Sequence, residues 1–192
     1  NVLVIGVVSG DFFKLGNFQA FGKLNQALKK VPYVETVLSV ANAVDLLKDT
    51  ALQKLDAIAV FPKNPERQDQ IDSSVKVFYT LPFYRSLLYN PSTHAYLVVV
   101  RINKNILNSK GRTKVINDII GKTNDYTAAT HIPVHLSGLP LIRTQVADRI
   151  AHEMKWFVIG SLILSALILL LMFRSVKTTL LSLLVVIISV VW

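Results

Sequence analysis

The segment from Trp156 to Trp192 is almost entirely apolar, and no other feature limits the possible folds of this chain so strongly. Its only charged side chains are Arg174 and Lys177, whereas residues 1–155 hold nineteen of the 21 basic and all twelve acidic side chains. The sequence therefore divides into a front part of ordinary globular composition, about one domain in length, and a back part suited to lipid.

Trp156–Phe173 has the length and composition of a membrane-spanning helix. Its eighteen residues, WFVIGSLILSALILLLMF, contain no ionisable group. At 1.5 Å per residue they measure about 27 Å, close to the hydrocarbon thickness of a bilayer. Lys155 and Trp156 are typical of a membrane interface at one end, and Arg174 closes the other end. The alternative is a buried core helix of a large soluble protein, but such helices are usually shorter and keep a polar side.

A second apolar run follows Arg174 so closely that the two helices are expected to form an antiparallel transmembrane hairpin. The turn between them, residues 174–177, carries two positive charges and no negative one. Short basic turns stay in the cytoplasm, which places residues 1–155 outside the membrane. Residues 178–192 are then the start of a further membrane helix. The chain opens with Asn1 in a strand pattern and has no signal peptide, so we expect a fragment or processed chain that continues on both sides.

A first β-α-β unit is predicted in residues 2–40. VLVIGVV, residues 2–8, is a continuous apolar run, typical of a strand covered on both faces. Asn17 is a suitable cap for a helix that ends at Pro32, and residues 34–40 predict the second strand. The apolar residues of this helix recur at three- to four-residue steps: Phe18, Phe21, Leu24 and Leu28.

A second unit is predicted in residues 94–138. Strands are expected at 94–102 and 131–138, with a helix between them from about Ser109 to Ala129. One face of this helix carries Val115, Ile116, Ile119, Ile120, Thr123 and Tyr126. Two units of similar spacing indicate a ferredoxin-like split β-α-β arrangement, and thus an α+β domain over residues 1–140.

The region between the two units is less regular. Four apolar residues, Val44, Leu47, Ala51 and Leu55, predict a helix, and residues 57–61 predict a short strand. Pro65 is well placed for the first turn of a polar helix. Residues 81–92 form an aromatic stretch bounded by prolines. This stretch either packs into the domain through Phe83, Tyr84 and Tyr89 or forms a docking or substrate-facing surface.

One long helix is predicted over residues 141–173. Apolar residues recur every four positions at Ile142, Val146, Ile150 and Met154, and neither proline nor glycine interrupts the stretch before Gly160. The helix would measure roughly 50 Å. We expect such a rod to transmit movement between an outer domain and the membrane.

The sequence indicates no enzyme and no catalytic, cofactor-binding or metal site. It contains no cysteine, and its basic residues are scattered, which argues against nucleic acid as a partner. His131 and His135 are spaced like zinc ligands on a helix, but an extended strand would separate them by about 13 Å. We therefore expect a polar strand face there. Phe12, Phe13, Phe83 and Tyr84 either line an apolar substrate path or pack in the core, so the substrate-binding residues stay unknown.

Two stretches resemble the resistance–nodulation–division (RND) superfamily, and within it the MMPL-like, hydrophobe-exporter branch of bacterial permeases. They are LPFYRSLLYNPSTHAYLVVVRI, residues 81–102, and residues 137–192. Most of the resemblance is carried by Gly138-Leu139-Pro140, before the approach to the membrane, and by Phe173-Arg174-Ser175 after the second transmembrane helix.

The resemblance implies that residues 1–140 are the first periplasmic porter domain, that residues 141–173 are transmembrane helix 2 and that helix 3 starts after the 174–177 turn. It further implies a multi-pass protein of the bacterial inner membrane that exports hydrophobic or amphiphilic compounds, lipids or drugs, by using the proton gradient. The expected partners are the lipid bilayer, these compounds, the remaining half of the chain and possible further copies in a homo-oligomer. The alternative from the residues alone is a membrane-anchored extracytoplasmic interaction or sensor domain.

Overall fold

The computed structural model describes residues 1–49, 54–109 and 111–191, which form two compact units. The first unit is Asn1–Thr144 and the second begins at Gln145. The strands are β1 (Val2–Val8), β2 (Val34–Ser39), β3 (Val44–Asp49), β4 (Lys54–Ala59), β5 (Tyr89–Asn90), β6 (Ala95–Ile102) and β7 (Val134–Ser137). The helices are α1 (Leu15–Lys29), α2 (Gln68–Thr80), α3 (Lys104–Leu107), α4 (Arg112–Thr130), α5 (Leu139–Phe173) and α6 (Val176–Val191).

The first unit is built on an antiparallel sheet with the strand order β2-β6-β1-β7, to which β5 adds a short pair with β6. β1 lies at the centre, with Val4 opposite Val99 of β6 on one side and Ser137 of β7 on the other. The strands before and after α1 are separated by β6, and those before and after α4 are separated by β1. Each of these two helices therefore connects strands that are not neighbours.

The hydrophobic core lies between one face of this sheet and the helices α1 and α4. The predicted apolar residues of α1 are all buried, and those of α4 are buried except Ile120, which is half-buried. The rings of Phe21 and Tyr126 meet edge to face at 6.3 Å and join the two helices. Each large apolar side chain buried in this way contributes about 1.5–3 kcal/mol to the stability of the unit.

β1 differs from the expectation that both of its faces are covered. Leu3, Ile5 and Val7 are fully buried, but Val4 and Gly6 are half-buried, and the two end residues of the strand are exposed. The reason is that α1 and α4 cover only one face of the sheet. An antiparallel sheet often leaves its second face to the solvent.

The helix predicted from Val44, Leu47, Ala51 and Leu55 is wrong. β3 and β4 pair as an antiparallel two-stranded sheet there, with Val44 opposite Ala59, and Ala51 lies outside the described residues. Hydrogen bonds from residues distant in the sequence hold the start of β3. The Tyr84 hydroxyl accepts from Val44 N and donates to Val44 O, both at 2.9 Å, and Val60 N donates to Ala43 O.

Several predicted ends of elements are also corrected. α1 begins at Leu15 after Lys14, so Asn17 is not its cap, and the Asn17 side chain instead donates to Asp11 O. Pro65 lies before α2, which begins at Gln68. α4 begins at Arg112, after the separate short α3. The strand predicted at 131–138 is limited to β7, because His131 ends α4 in the left-handed conformation, with φ of 56°.

Candidate membrane helix and its junction with the domain

α5 begins directly at the end of the sheet, and we call residues 137–144 the junction. Gly138 follows β7 and has a φ of +135°, a backbone conformation that L-residues rarely adopt. A Cβ atom at Gly138 would meet Val2 O at 2.7 Å and Leu3 Cα at 3.1 Å. Both the backbone conformation and the close approach to β1 therefore require glycine at this position.

The first turns of α5 are part of the core of the first unit. Leu141 and Thr144 are buried, and the Thr144 hydroxyl donates to Pro140 O at 2.9 Å. Ile142 N donates to Gly138 O and closes the first helical turn. Pro140 lacks an N–H group, which costs no helical hydrogen bond this close to the helix start. Leu141 and Thr144 thus hold the first turns of α5 within the core of the first unit.

α5 continues to Phe173 as one helical element of 35 residues, which corresponds to about 52 Å. It begins two residues before the expected start at Leu141, because Leu139 and Pro140 are already helical. Ile142, Val146, Ile150 and Met154 form a stripe at four-residue spacing, and each of these side chains is more than a third exposed. The apolar stripe therefore lies on the part of α5 that precedes the uncharged segment starting at Trp156.

The lipid-like part of α5 begins near Trp156. The Trp156 indole Nε1–H donates to His152 Nε2 at 3.3 Å, one helical turn away. Trp156 therefore has a polar partner in the helical turn before it, and the sequence after it is uncharged up to Phe173. That arrangement is typical of aromatic residues at a membrane interface.

One helix in the described part of the chain is long and apolar enough to cross a membrane, over Leu139–Met172. The Ser161 hydroxyl donates to Val158 O at 3.0 Å, so its hydrogen bond is satisfied within the helix. Gly160, Ser161 and Ser165 are small residues of the kind that allow close contacts between membrane helices. No acidic or basic side chain occurs in residues 156–173.

Two residues, Arg174 and Ser175, connect α5 to α6. Arg174 has a left-handed backbone, with φ of 48°, and its N–H donates to Leu170 O at 2.9 Å. Ser175 O accepts hydrogen bonds from the backbone N–H and the hydroxyl of Thr179. The connection is therefore a tight one, in which Arg174 closes α5 and the Ser175 carbonyl accepts the first hydrogen bonds of α6.

The four aromatic residues considered for an apolar path have different surroundings. Phe12 is fully buried and its ring stacks on Tyr96 at 3.9 Å, while Phe13 is half-buried beside it at 5.0 Å. Tyr84 is buried and stacks on Phe78. Phe83 is 70% exposed. Core packing therefore accounts for Phe12 and Tyr84, and Phe83 remains the candidate for an outside contact.

The histidines are not brought together. His131 ends α4, His135 pairs with Gly6 within the sheet, and His152 lies on α5. In the described ranges no three His, Asp or Glu side chains are grouped closely enough to hold a metal ion. The aromatic stretch at 81–92 contains a short 3-10 turn at Pro82–Tyr84 and the strand β5, and Tyr89 packs into the core.

A comparison with protein families gives one match. The sequence profile described as the MMPL family matches residues 17–192. This range begins within α1, includes every later strand, the junction and α5, and extends through α6, so it covers most of the chain but not β1. No curated protein matches the chain closely enough to count as a relative.

Proposed function

The chain belongs to the MMPL family, and we propose that it is part of a proton-driven exporter of hydrophobic or amphiphilic compounds. Proteins of this family are RND-type membrane transporters and not enzymes, so the residues described above are part of a transporter. The finer statements that follow, on porter fold, orientation, coupling and substrate, are parts of the same proposal.

The sheet supports a porter domain of the ferredoxin-like kind in residues 1–140. Its strand order β2-β6-β1-β7, with α1 and α4 each connecting strands that lie one apart, has the connectivity of two split β-α-β units. The hairpin of β3 and β4 is then an addition between these two units.

The charges around the α5–α6 connection support an extracytoplasmic domain in a bacterial inner-membrane protein. Arg174 and Lys177 are the only charged residues after Lys155, and they flank the tight connection at Ser175. A short basic connection is retained in the cytoplasm. The domain before α5 is then on the outer side of the membrane, and α6 starts a second span of a hairpin.

The junction supports a mechanical role for α5. Leu141 and Thr144 fix its first turns in the core of the domain, and the helix has no proline or glycine from Leu141 to Ile159. A tilt of the membrane part, driven by protonation of acidic side chains elsewhere in the transporter, would therefore move the sheet at Gly138 as well. In this proposal the domain alternates between inward-open and outward-open states of the substrate path.

The single observation that carries the proposal is the family match along α5 and α6 as well as the domain. A membrane-anchored sensor, the alternative, has no comparable support. Phe83 is the exposed aromatic side chain that we propose as a substrate contact.

Transport by the complete gene product in inverted membrane vesicles tests this function. We expect that an imposed proton gradient drives accumulation of a lipophilic fluorescent dye, and that a protonophore abolishes it. Vesicles without the protein are the control. Dye uptake that is independent of the gradient, or equal in both vesicle preparations, would contradict the proposal.

A further inference from the structure

A polar cleft opens along α1 in the first unit, on residues that the proposed transport function does not use. Its volume is about 690 Å³, within the range of small-molecule sites. One wall is α1 and the other is the segment 62–66, which the Gln19 side chain attaches to α1 by donating to Pro65 O at 2.8 Å. We call this feature the α1 cleft.

Asn25 lines the α1 cleft and has a buried acceptor without a donor. The residue is 3% exposed, and its Nδ2 donates to Asn42 Oδ1 at 2.8 Å, while Asn42 Nδ2 donates to Val37 O at 3.0 Å. This chain of two bonds fixes the orientation of both amides. Asn25 Oδ1 then accepts from no group in the described part of the protein. A buried acceptor left unpaired costs about 1–3 kcal/mol, so a donor that reaches Asn25 Oδ1 from the cleft, by a small shift of the side chains that cover this atom, is favoured.

The charges around the α1 cleft are mainly positive. Lys23, Lys29 and Lys63 line it together with one carboxylate, Glu66. The ion pairs found among the described residues involve none of these four side chains. Three lysines against one glutamate attract a ligand with more than one negative charge, and lysine is a frequent phosphate partner in proteins.

We propose that the α1 cleft binds a hydroxyl-bearing organic phosphate, such as a glycerol phosphate group. A ligand hydroxyl donates to Asn25 Oδ1, and the phosphate lies among Lys23, Lys29 and Lys63. A phosphate and a free hydroxyl are present together both in free glycerol phosphate and in the headgroup of phosphatidylglycerol, whose phosphodiester carries one negative charge instead of two. This site is independent of the transport proposal, because it requires neither a proton gradient nor movement of α5.

Calorimetric titration of the purified full chain in a neutral detergent tests the site with glycerol phosphate as the probe. We expect saturable binding that is at least about tenfold tighter than binding of inorganic phosphate or glycerol at the same ionic strength. The reason is that glycerol phosphate carries an alcohol hydroxyl on its glycerol part and the negative charge on its phosphate, whereas inorganic phosphate has its hydroxyl and its charge on one small group and glycerol has no charge. Absence of saturable binding, or equal affinity for inorganic phosphate, would overturn the proposal.

A glycine on the cleft wall allows the site to be blocked without a threat to folding. Gly22 lies inside α1, lines the cleft, and an added Cβ would meet no atom within 4 Å. Gly22→Leu therefore fills the cleft with a side chain that also favours helix, and it should weaken glycerol phosphate binding by at least about tenfold. Gly121→Leu, at the equally open glycine of α4, should leave the affinity within about twofold of wild type. Equal effects of the two substitutions would refute the assignment.

The charge contribution is tested separately. Lys23→Gln combined with Lys63→Gln should reduce binding of glycerol phosphate about tenfold, and Lys104→Gln on α3, outside the cleft, should not reduce it. In phosphatidylcholine nanodiscs, added phosphatidylglycerol should lower the apparent affinity for glycerol phosphate if the headgroup is the natural ligand. An unchanged affinity assigns the site to the free compound.

Discussion

At the residue scale, Gly138 determines where the sheet ends and the long helix begins. Its φ of +135° and its approach to Val2 O leave no room for a side chain. The G-x-P pattern was noted in the sequence as part of a family resemblance. Its physical reason could not be read from the sequence, because the atom that excludes a Cβ belongs to β1, more than 130 residues earlier.

Gly138→Ala is expected to destabilise the first unit by about 1–3 kcal/mol, the usual cost of a non-glycine residue in such a backbone conformation. Chemical unfolding of the detergent-solubilised chain, followed by circular dichroism, measures this change. The matched control is Gly121→Ala in the middle of α4, where alanine should stabilise by about 1 kcal/mol. A Gly138→Ala variant as stable as wild type would show that the junction tolerates a Cβ.

Tyr96 gives the first unit a dependence on alkaline pH. Its ring is buried against Phe12, and burial raises the pKa of its phenol, with Tyr79 as a further cause. The neutral phenol is favoured in the folded state, so this contribution to stability is fully present below the unfolded pKa, about 10. It is lost as the pH rises through the folded pKa.

The stability difference between wild type and Tyr96→Phe should therefore be constant up to about pH 9 and should shift in favour of the variant above about pH 10. Urea unfolding at pH 8 and pH 10.5 measures the two differences. All other ionisable groups are present in both proteins, so the comparison isolates the change at Tyr96. Parallel stability curves would contradict the assignment.

At the scale of elements, the long periodic helices were predictable, whereas the structure of residues 44–49 and 54–55 was not. The three- to four-residue repeat in α1, α4 and α5 extends over several turns, and each was found as a helix with the expected buried residues in α1 and α4. Residues 44–55 share the same spacing over a shorter stretch. There the outcome is decided by Tyr84, whose hydroxyl bonds to both backbone groups of Val44 across 40 residues of sequence. Local periodicity contains no information about such a contact.

The α1 cleft was likewise not predicted. Asn25 stands in the sequence as one polar residue within an amphipathic helix. Its burial follows from the position of Asn42, which reaches it only after β2 has crossed the sheet beside β6. The available signal for the burial of Asn25 was its position next to Leu24 and three residues before Leu28, because both leucines are buried.

A proline in the exposed part of α5 tests whether the helix acts as one element. Ala147→Pro removes the N–H bond to the preceding turn and clashes with the Arg143 carbonyl, at a cost of about 3 kcal/mol to the helix. We expect proton-driven dye transport to fall at least about tenfold while the stability of the first unit, measured by unfolding, is unchanged.

The control for this substitution is Val176→Pro. Val176 is the first residue of α6, where a proline has no helical hydrogen bond to break. Transport by this variant should be close to wild type. If Ala147→Pro transports as well as Val176→Pro, then α5 does not couple the membrane to the domain.

At the scale of the whole molecule, the charged part of the chain ends at Lys155, whereas the first compact unit already ends at Thr144. The apolar residues after Lys155 lie in the second unit, and nearly all charged residues lie in the first unit or in the early part of α5. This division could be predicted from composition alone. An uncharged apolar helix of eighteen residues is not stable when it is exposed to water, and a lipid bilayer is the usual environment that covers it on all sides. The proposed orientation in the membrane rests on two residues, Arg174 and Lys177.

The absence of cysteine from the chain makes the topology directly testable. Ser92→Cys, in an exposed turn before β6, should react with a membrane-impermeant maleimide added to intact cells. Ser175→Cys, in the α5–α6 connection, should react only after permeabilisation or in inverted vesicles. The reverse pattern would place the domain in the cytoplasm and exclude the proposed orientation.

The pairing of β1 with β7 has a consequence for how this domain can vary. Val2 and Gly138 are neighbours in space, so the chain segment between them begins and ends at the same place in the fold. The loops between these two residues can lengthen while Val2 and Gly138 stay next to each other. Such variation leaves the start of α5 in the same place beside β1.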